Sequence, residues 1–280
     1  MDSFVNWWQT LPYAIDPTIF HVGSFQVKYY GLMYIVAFSL TFYLLNRRLK
    51  NKEFELSREV LENYFFQVIL FILIGGRLGY VLFYNLKYFL RNPLEIFLPF
   101  RYDNGFEFTG IAGMSYHGAV IAAFAGTYFF TRKNKLEFFR FIDFIAIAAP
   151  LGYTFGRLGN FINGELYGRV TDSSIGMYFP LAGDEMLRHP SQLYEALFEG
   201  IFIFIVLWSL RNRKFKSGFF VSAYLILYGT VRFIIEYFRE PDDHLGFVLF
   251  NFSMGQVLCF IMIISGIIVL FVSYNKKAAE

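Results

Sequence analysis

Apolar stretches of about 20 residues alternate with short polar breaks along most of the chain. Seven such stretches are recognised, at about Tyr30–Asn46, Val60–Tyr84, Gly118–Thr131, Phe138–Gly156, Leu193–Leu210, Phe219–Phe238 and Ser253–Tyr274. At 1.5 Å per helical residue, about 20 residues cross a hydrocarbon core of ~30 Å. The pattern therefore predicts seven transmembrane helices. The third is short unless it begins near Gly113, and the second is open to a break at Gly75-Gly76. A further apolar piece, Pro93–Phe100, is too short to span and carries two prolines, which places it in the interface.

The breaks carry the basic residues and set the orientation. Arg47, Arg48, Lys50, Lys52 and Arg58 lie between spans one and two, and Arg132, Lys133, Lys135 and Arg140 between three and four. Arg211, Arg213, Lys214 and Lys216 lie between five and six, and Lys276 and Lys277 follow span seven. With seven spans all four clusters share one side, which the positive-inside bias makes cytoplasmic. The expectation is an all-α integral membrane protein with its N-terminus outside and its C-terminus cytoplasmic. An even number of spans does not give this agreement.

Composition sharpens the picture. At 56% hydrophobic and only 17% charged, the chain is not an ordinary soluble domain, and its net charge of +3 marks a cytoplasmic rim and not a nucleic-acid surface. Trp7, Trp8 and many tyrosines near segment ends suit an interfacial belt. Met1–Thr10 lacks the pattern of a cleaved signal peptide. The lone Cys259 sits mid-span, where packing is the expected role. No inverted repeat of the transporter kind is evident. The whole chain, 1–280, reads as a single transmembrane catalytic domain with a small external cap at about 160–190.

Against this apolar background, the run Gly156-Arg-Leu-Gly-Asn-Phe-Ile-Asn-Gly-Glu-Leu-Tyr-Gly-Arg169 stands out, directly after an apolar segment. Charge near a helix centre in a bilayer costs roughly 2.5–3.5 kcal/mol per residue, which makes such residues functional candidates. Helix arithmetic places Arg77 about 17 residues along its span, roughly 26 Å from the inner surface, with Arg157 at a similar height and Arg232 at ~21 Å. His117 and His189 fall at the outer ends of spans three and five. Five segments are thus expected to bring ionisable groups to the same outer third of the membrane. Arg232, Glu236 and Arg239 are spaced i, i+4, i+7 and share a helix face. Blander roles compete: a structural Arg232–Glu236 ion pair, a snorkelling Arg77 in a close-packing glycine segment, and a structural His117.

Arginine offers a fixed fork of donors that matches phosphate, and histidine accepts a proton near neutral pH. Asn160, Asn163 and Glu165 are suited to glycerol hydroxyls or to orienting the arginines. There is no zinc-ligand spacing, nucleophile elbow or phosphate loop. The residues alone lead to an outer-leaflet phospholipid-handling membrane protein, with an enzyme favoured. A phospholipid transporter or scramblase, a phosphatase or another headgroup transferase, and a membrane scaffold stay open at this point. A transporter should offer a polar route across the full bilayer, whereas the inner halves of spans four, five and seven are almost purely apolar. A scaffold gives no reason for convergent arginines.

The sequence resembles the bacterial prolipoprotein diacylglyceryl transferases. The run Gly156–Arg169 matches that family's glycine-arginine-x-glycine-asparagine-phenylalanine-x-asparagine-x-glutamate signature in full. The likeness extends to Tyr29-Tyr-Gly-Leu-Met-Tyr34, Gly75-Gly-Arg-Leu-Gly-Tyr80, Met114-Ser-Tyr-His-Gly118, Arg188-His-Pro-Ser-Gln-Leu-Tyr-Glu195 and Arg232-Phe-Ile-Ile-Glu-Tyr-Phe-Arg239, in the family's order. The resemblance implies transfer of diacylglycerol from phosphatidylglycerol to the lipobox cysteine thiol of a prolipoprotein signal peptide, within the bilayer of the bacterial cytoplasmic membrane. It implies a phosphate clamp of Arg157 and Arg232; on this basis His117 is expected to be the base or to hold substrate, with Tyr30 near the reacting headgroup and Glu236 and Arg239 orienting the clamp. Asn160, Glu165 and Gly168 match functional positions of the signature, and His189 and Arg77 are further substrate-binding candidates. No metal or organic cofactor is implied. The short segment between Arg169 and His189 departs from some members and predicts a small cap.

Overall fold

The computed structural model describes residues 2–22, 25–98, 100–101, 107–108, 113–240, 247–249 and 252–275. Pro99 and the basic pair Lys276-Lys277 lie outside the described residues. The chain is mostly helical. A short helix α1 (Asp2–Thr10) and a hairpin of β1 (Thr18–Val22) and β2 (Phe25–Lys28) precede α2 (Tyr29–Lys50). Then come α3 (Arg58–Tyr84), α4 (Leu86–Arg91), α5 (Tyr116–Lys133), α6 (Phe138–Ala146) and α7 (Ala149–Ile162). One continuous helix follows, made of α8 (Ser191–Tyr194), a π-helical segment Glu195–Phe202 and α9 (Ile203–Leu210). Helices α10 (Phe219–Ile235) and α11 (Met254–Asn275) complete the set.

Each of the seven apolar stretches carries helix. Four helices are long and apolar enough to cross a membrane: Tyr29–Lys50, Arg58–Tyr84, Ser191–Leu210 and Met254–Asn275. The pair α6 and α7 makes a fifth if taken as one span, although it bends by 50°. The 17-residue α10 is a shorter apolar helix. The stretch expected as a span at Phe138–Gly156 is thus a bent pair of helices. Pro150 stands in the first turn of α7, where it has no N–H to give and its ring excludes the carbonyl of Ala146, the last residue of α6, from a continuous helix. Past the bend, α7 runs on to Ile162, so Arg157 and Asn160 lie on a helix and not beyond its end.

The chain packs as two units, Met1–Glu53 with Ile142–Glu280, and Phe54–Phe141. In the second unit, α3 continues through Gly75-Gly76 without a break. The glycines serve close approach. A Cβ on Gly75 would lie 2.1 Å from the Ala122 Cβ, and one on Gly79 would lie 2.7 Å from the Gly118 Cα. Small residues at four-residue spacing let α3 and α5 meet backbone to backbone, as membrane helices often do. Ser57 and Ser115 cap these helices through the amides of Val60 (3.2 Å) and Gly118 (3.3 Å).

In the first unit, α7 lies against α2 and against the π segment. Gly152 touches α2, where a Cβ would sit 2.6 Å from the Thr41 hydroxyl. Gly200 touches α7, and the Thr154 hydroxyl donates 3.3 Å to the Ala196 carbonyl of the π segment. A small apolar cluster of Phe161, Met177 and Phe179, flanked by Trp8 and Leu11, ties the 167–182 segment to the N-terminal helix. At the basic end, buried Asp143 accepts the amides of Gly218 (2.7 Å) and Val221 (2.8 Å), anchoring the start of α10.

Candidate active site

Three helices of the first unit face one another with charge. Arg157 comes from α7, Arg232 from α10, and Glu195 and Glu199 from the π segment. Both carboxylates are fully buried. Glu195 is the hub: its Oε2 lies 2.8 Å from Arg157 Nε, and its Oε1 lies 2.9 Å from Arg232 Nη1 and 3.4 Å from Arg239 Nη1. Arg232 also reaches Glu199 Oε1 at 3.5 Å and Glu236 Oε2 at 3.0 Å. Three guanidiniums thus meet three carboxylates. Removing one member of such a set leaves an uncompensated buried charge, which costs about 3–5 kcal/mol.

Further polar groups hold each arginine in place. On α7, Tyr153, Arg157 and Asn160 are spaced for one face. Arg157 Nε donates to the Tyr153 hydroxyl at 2.6 Å, and its Nη1 donates to Asn160 Oδ1 at 3.3 Å. Asn160 Nδ2 donates 2.8 Å to Glu165 Oε1, which also accepts from Asn163 at 3.3 Å. Glu165 therefore orients Asn160, and Asn160 orients Arg157. Glu236 accepts the Ser253 hydroxyl at 3.0 Å, and a Cβ on Gly255 would lie 2.5 Å from its Oε1. Tyr30 packs its ring over Gly159, and its hydroxyl lies 3.0 Å from that of Tyr34.

Gly168 works through its backbone. Its amide donates to the His189 carbonyl at 2.8 Å, and the Arg169 amide donates to the Phe238 carbonyl at 2.9 Å. A Cβ at Gly168 would sit 2.3 Å from the Phe238 oxygen. The absent side chain lets this strand-like run bridge to Arg239, while Arg169 Nε donates to the Arg239 carbonyl at 2.8 Å. The same run holds Arg188, which pairs with Asp184 at 2.6 Å and Glu240 at 3.1 Å. The guanidinium holds the Asp184 carboxyl below the usual carboxylate range. Neighbouring His189 lies 3.1 Å from the Tyr194 hydroxyl, and burial lowers its pKa.

The structure thus gathers Arg157, Arg232, Glu236 and Arg239 directly, with Asn160, Glu165, Gly168 and His189 around them. Arg77 and His117 belong to the second unit. Arg77 donates to the main-chain carbonyls of Ile96 (2.8 Å), Glu95 (2.6 Å) and Gly113 (3.3 Å), with its guanidinium over the Phe89 ring. His117 stands exposed in the first turn of α5, its ring edge-on to Tyr116. Sequence reasoning did not single out Tyr153 or Glu199 and noted Glu195 only within a matching block. The available signal was two glutamates four residues apart inside an apolar span, a pairing too costly in a bilayer to be idle.

A family model described as prolipoprotein diacylglyceryl transferase matches residues 17–272. A phosphatidylglycerol–prolipoprotein diacylglyceryl transferase from Chlorobaculum tepidum is 50% identical over 281 residues, covering 100% of this chain and 96% of the relative. Relatives with the same name are 42% identical in Desulfotalea psychrophila, over 96% of both chains, and 40% identical in Campylobacter lari, over 98% of this chain and 99% of the relative.

Proposed function

The chain belongs to the prolipoprotein diacylglyceryl transferase family, and from that premise we propose how its charged cluster carries the family's reaction. The enzyme transfers the diacylglyceryl group of phosphatidylglycerol to the cysteine thiol of a prolipoprotein. The sulfur forms a bond to the glyceryl carbon, the bond from that carbon to the phosphate oxygen breaks, and glycerol phosphate departs. The thiol proton leaves, and negative charge develops on the departing phosphate.

The observation that carries this reading is the buried cluster of Arg157, Arg232 and Arg239 around Glu195. Guanidiniums already oriented by protein partners stabilise a developing phosphomonoester without reorganising during the reaction. Arg157 and Arg232 clamp the phosphate, Glu236 and Arg239 hold the clamp, and Asn160 and Glu165 line the headgroup side together with Tyr30. Gly168 and His189 support Arg239 through the backbone. His117 is assigned as the base, because a free thiol has a pKa near ~8.5 and benefits from a proton acceptor. The peptide segment recognised is the lipobox of the signal peptide. In this reading all seven apolar segments sit in the bacterial cytoplasmic membrane, with the N-terminus and the cap at about 160–190 on the outer face. Exposed Phe4 and Trp7 on α1 suit that interface.

The test incubates the purified protein with phosphatidylglycerol and a lipobox peptide and reads peptide mass. A gain of one diacylglyceryl group supports the reading; release of free diacylglycerol without peptide gain points to a different headgroup reaction. His117→Gln is expected to abolish the gain while the protein still inserts and binds lipid. Retained turnover would remove His117 as the base.

A further inference from the structure

Below Glu195, on the side of the π segment, the two clamp arginines are joined a second time. Arg157 Nε–H donates to the Tyr153 hydroxyl at 2.6 Å, and that hydroxyl donates in turn to Glu199 Oε2. The other oxygen of Glu199 faces Arg232 Nη1 at 3.5 Å. Tyr228, on α10, approaches the Tyr153 oxygen at 3.4 Å and stands edge-on to its ring. The two arginines are thus linked by hydrogen bonds from guanidinium to phenol to carboxylate, closed by an ion pair to the second guanidinium. Neither Tyr153 nor Glu199 belongs to the substrate-facing set described above.

We propose that Tyr153 and Glu199 are positioning residues that hold Arg157 and Arg232 at the separation the departing phosphate requires. Three observations support the assignment. First, the Nε–H of Arg157 points to Tyr153, so its 2.8 Å contact with Glu195 is an ion pair without a directed hydrogen bond. Glu195 supplies charge, while Tyr153 supplies direction. Second, Glu195 and Glu199 stand four residues apart on one face of the π segment and meet Arg232 together, at 2.9 and 3.5 Å. Third, Glu199 is fully buried and its polar contacts are these arginine and tyrosine groups. A carboxylate that made no use of them would be better replaced by an apolar residue such as the Leu197, Phe198 and Ile201 around it.

The inference rests on the transferase reading, and the same assay separates the two. If the parent protein yields no diacylglyceryl peptide, the transferase reading fails. With turnover established for the parent, Tyr153→Phe removes the hydroxyl and keeps the ring. Its kcat should fall roughly 10- to 100-fold, the order expected for a catalytic group displaced by about 1 Å. KM for the lipobox peptide should change little, because the polar contacts of Tyr153 and Glu199 go to the arginines, to Tyr228 and to each other. Glu199→Gln should lose a similar factor. The double variant should be no worse than the poorer single, because both changes cut the same strut. Folded Tyr153→Phe protein with the parent kcat would overturn the proposal. So would a double variant whose losses multiply, or a thermal midpoint that falls while kcat per folded molecule holds.

Discussion

The tetrapeptide Gly-Arg-Leu-Gly occurs twice, as Gly76-Arg77-Leu78-Gly79 and as Gly156-Arg157-Leu158-Gly159, and the two copies do different work. In the first, the arginine meets main-chain carbonyls of Glu95, Ile96 and Gly113, while Gly79 lies against the α5 backbone at Gly118 and Gly76 against the Met114 side chain. In the second, the arginine meets a phenol, an amide and a carboxylate, and Gly156 has no atom within 4 Å of where a Cβ would stand. Main-chain carbonyls belong to the fold and move only if the fold does. A buried arginine tied to main-chain carbonyls therefore serves the fold, and one oriented by side chains is set by groups that a site supplies for it.

The sharpest way to break this contrast is to truncate both arginines. Arg157→Ala is expected to lower turnover of folded protein by roughly 10²–10³-fold, the scale for losing a pre-placed donor to developing charge. Arg77→Ala is expected to act on stability, because several carbonyls lose their donor at about 1–3 kcal/mol each if they stay buried. Equal loss of turnover per folded molecule in the two variants would erase the distinction.

Glu195→Gln sharpens the side-chain half of the comparison. It leaves three guanidiniums without their shared counter-charge and should destabilise the fold by about 3–5 kcal/mol, read as a lowered thermal midpoint. A neutral outcome would mean that Glu199 and Glu236 alone compensate the cluster. The glycines give a smaller pair of effects. Gly79→Ala should cost about 1–3 kcal/mol through overpacking against Gly118. Gly156→Ala enters open space on a helix and should raise stability by under about 1 kcal/mol. A reversed order in thermal unfolding would contradict the packing described.

The mildest prediction concerns pH. Asp184 is held below its ordinary range by Arg188, and His189 below the ordinary histidine value by burial. In both cases the unfolded chain binds more protons in the affected window, so stability rises with pH there. The histidine contribution is full above about pH 6.5 and is lost as pH falls toward its lowered folded value. The Asp184 contribution is full above the usual carboxylate range and is lost at still lower pH. His189→Asn should flatten the upper part of a stability–pH profile, and Asp184→Asn the lower part.

Much was legible from one dimension. Runs of about 20 apolar residues between basic breaks marked every long helix, because burying apolar surface in lipid needs no partner to be identified. Arg157, Arg232, Glu236 and Arg239 were legible because charge inside such a run demands a reason. The 50° bend before α7 was written in Pro150, although the apolar count alone passed over it. Glu199 and Tyr153 carried only a weak mark, since their meaning depends on helices far apart in the chain. The equivalence of the two Gly-Arg-Leu-Gly copies in sequence, and their difference in partner, shows the limit clearly.

Hydropathy and motif alone mark where helices form, which residues carry charge into them and which family the chain resembles. Those properties follow from local hydropathy and residue chemistry. Packing between segments distant in the chain makes Glu195 bridge three arginines, sets Glu199 beside Tyr153 and Arg232, and surrounds Arg77 with main-chain carbonyls. The reason is physical: a guanidinium's role depends on which acceptors surround it, and those acceptors are brought together by packing between distant segments.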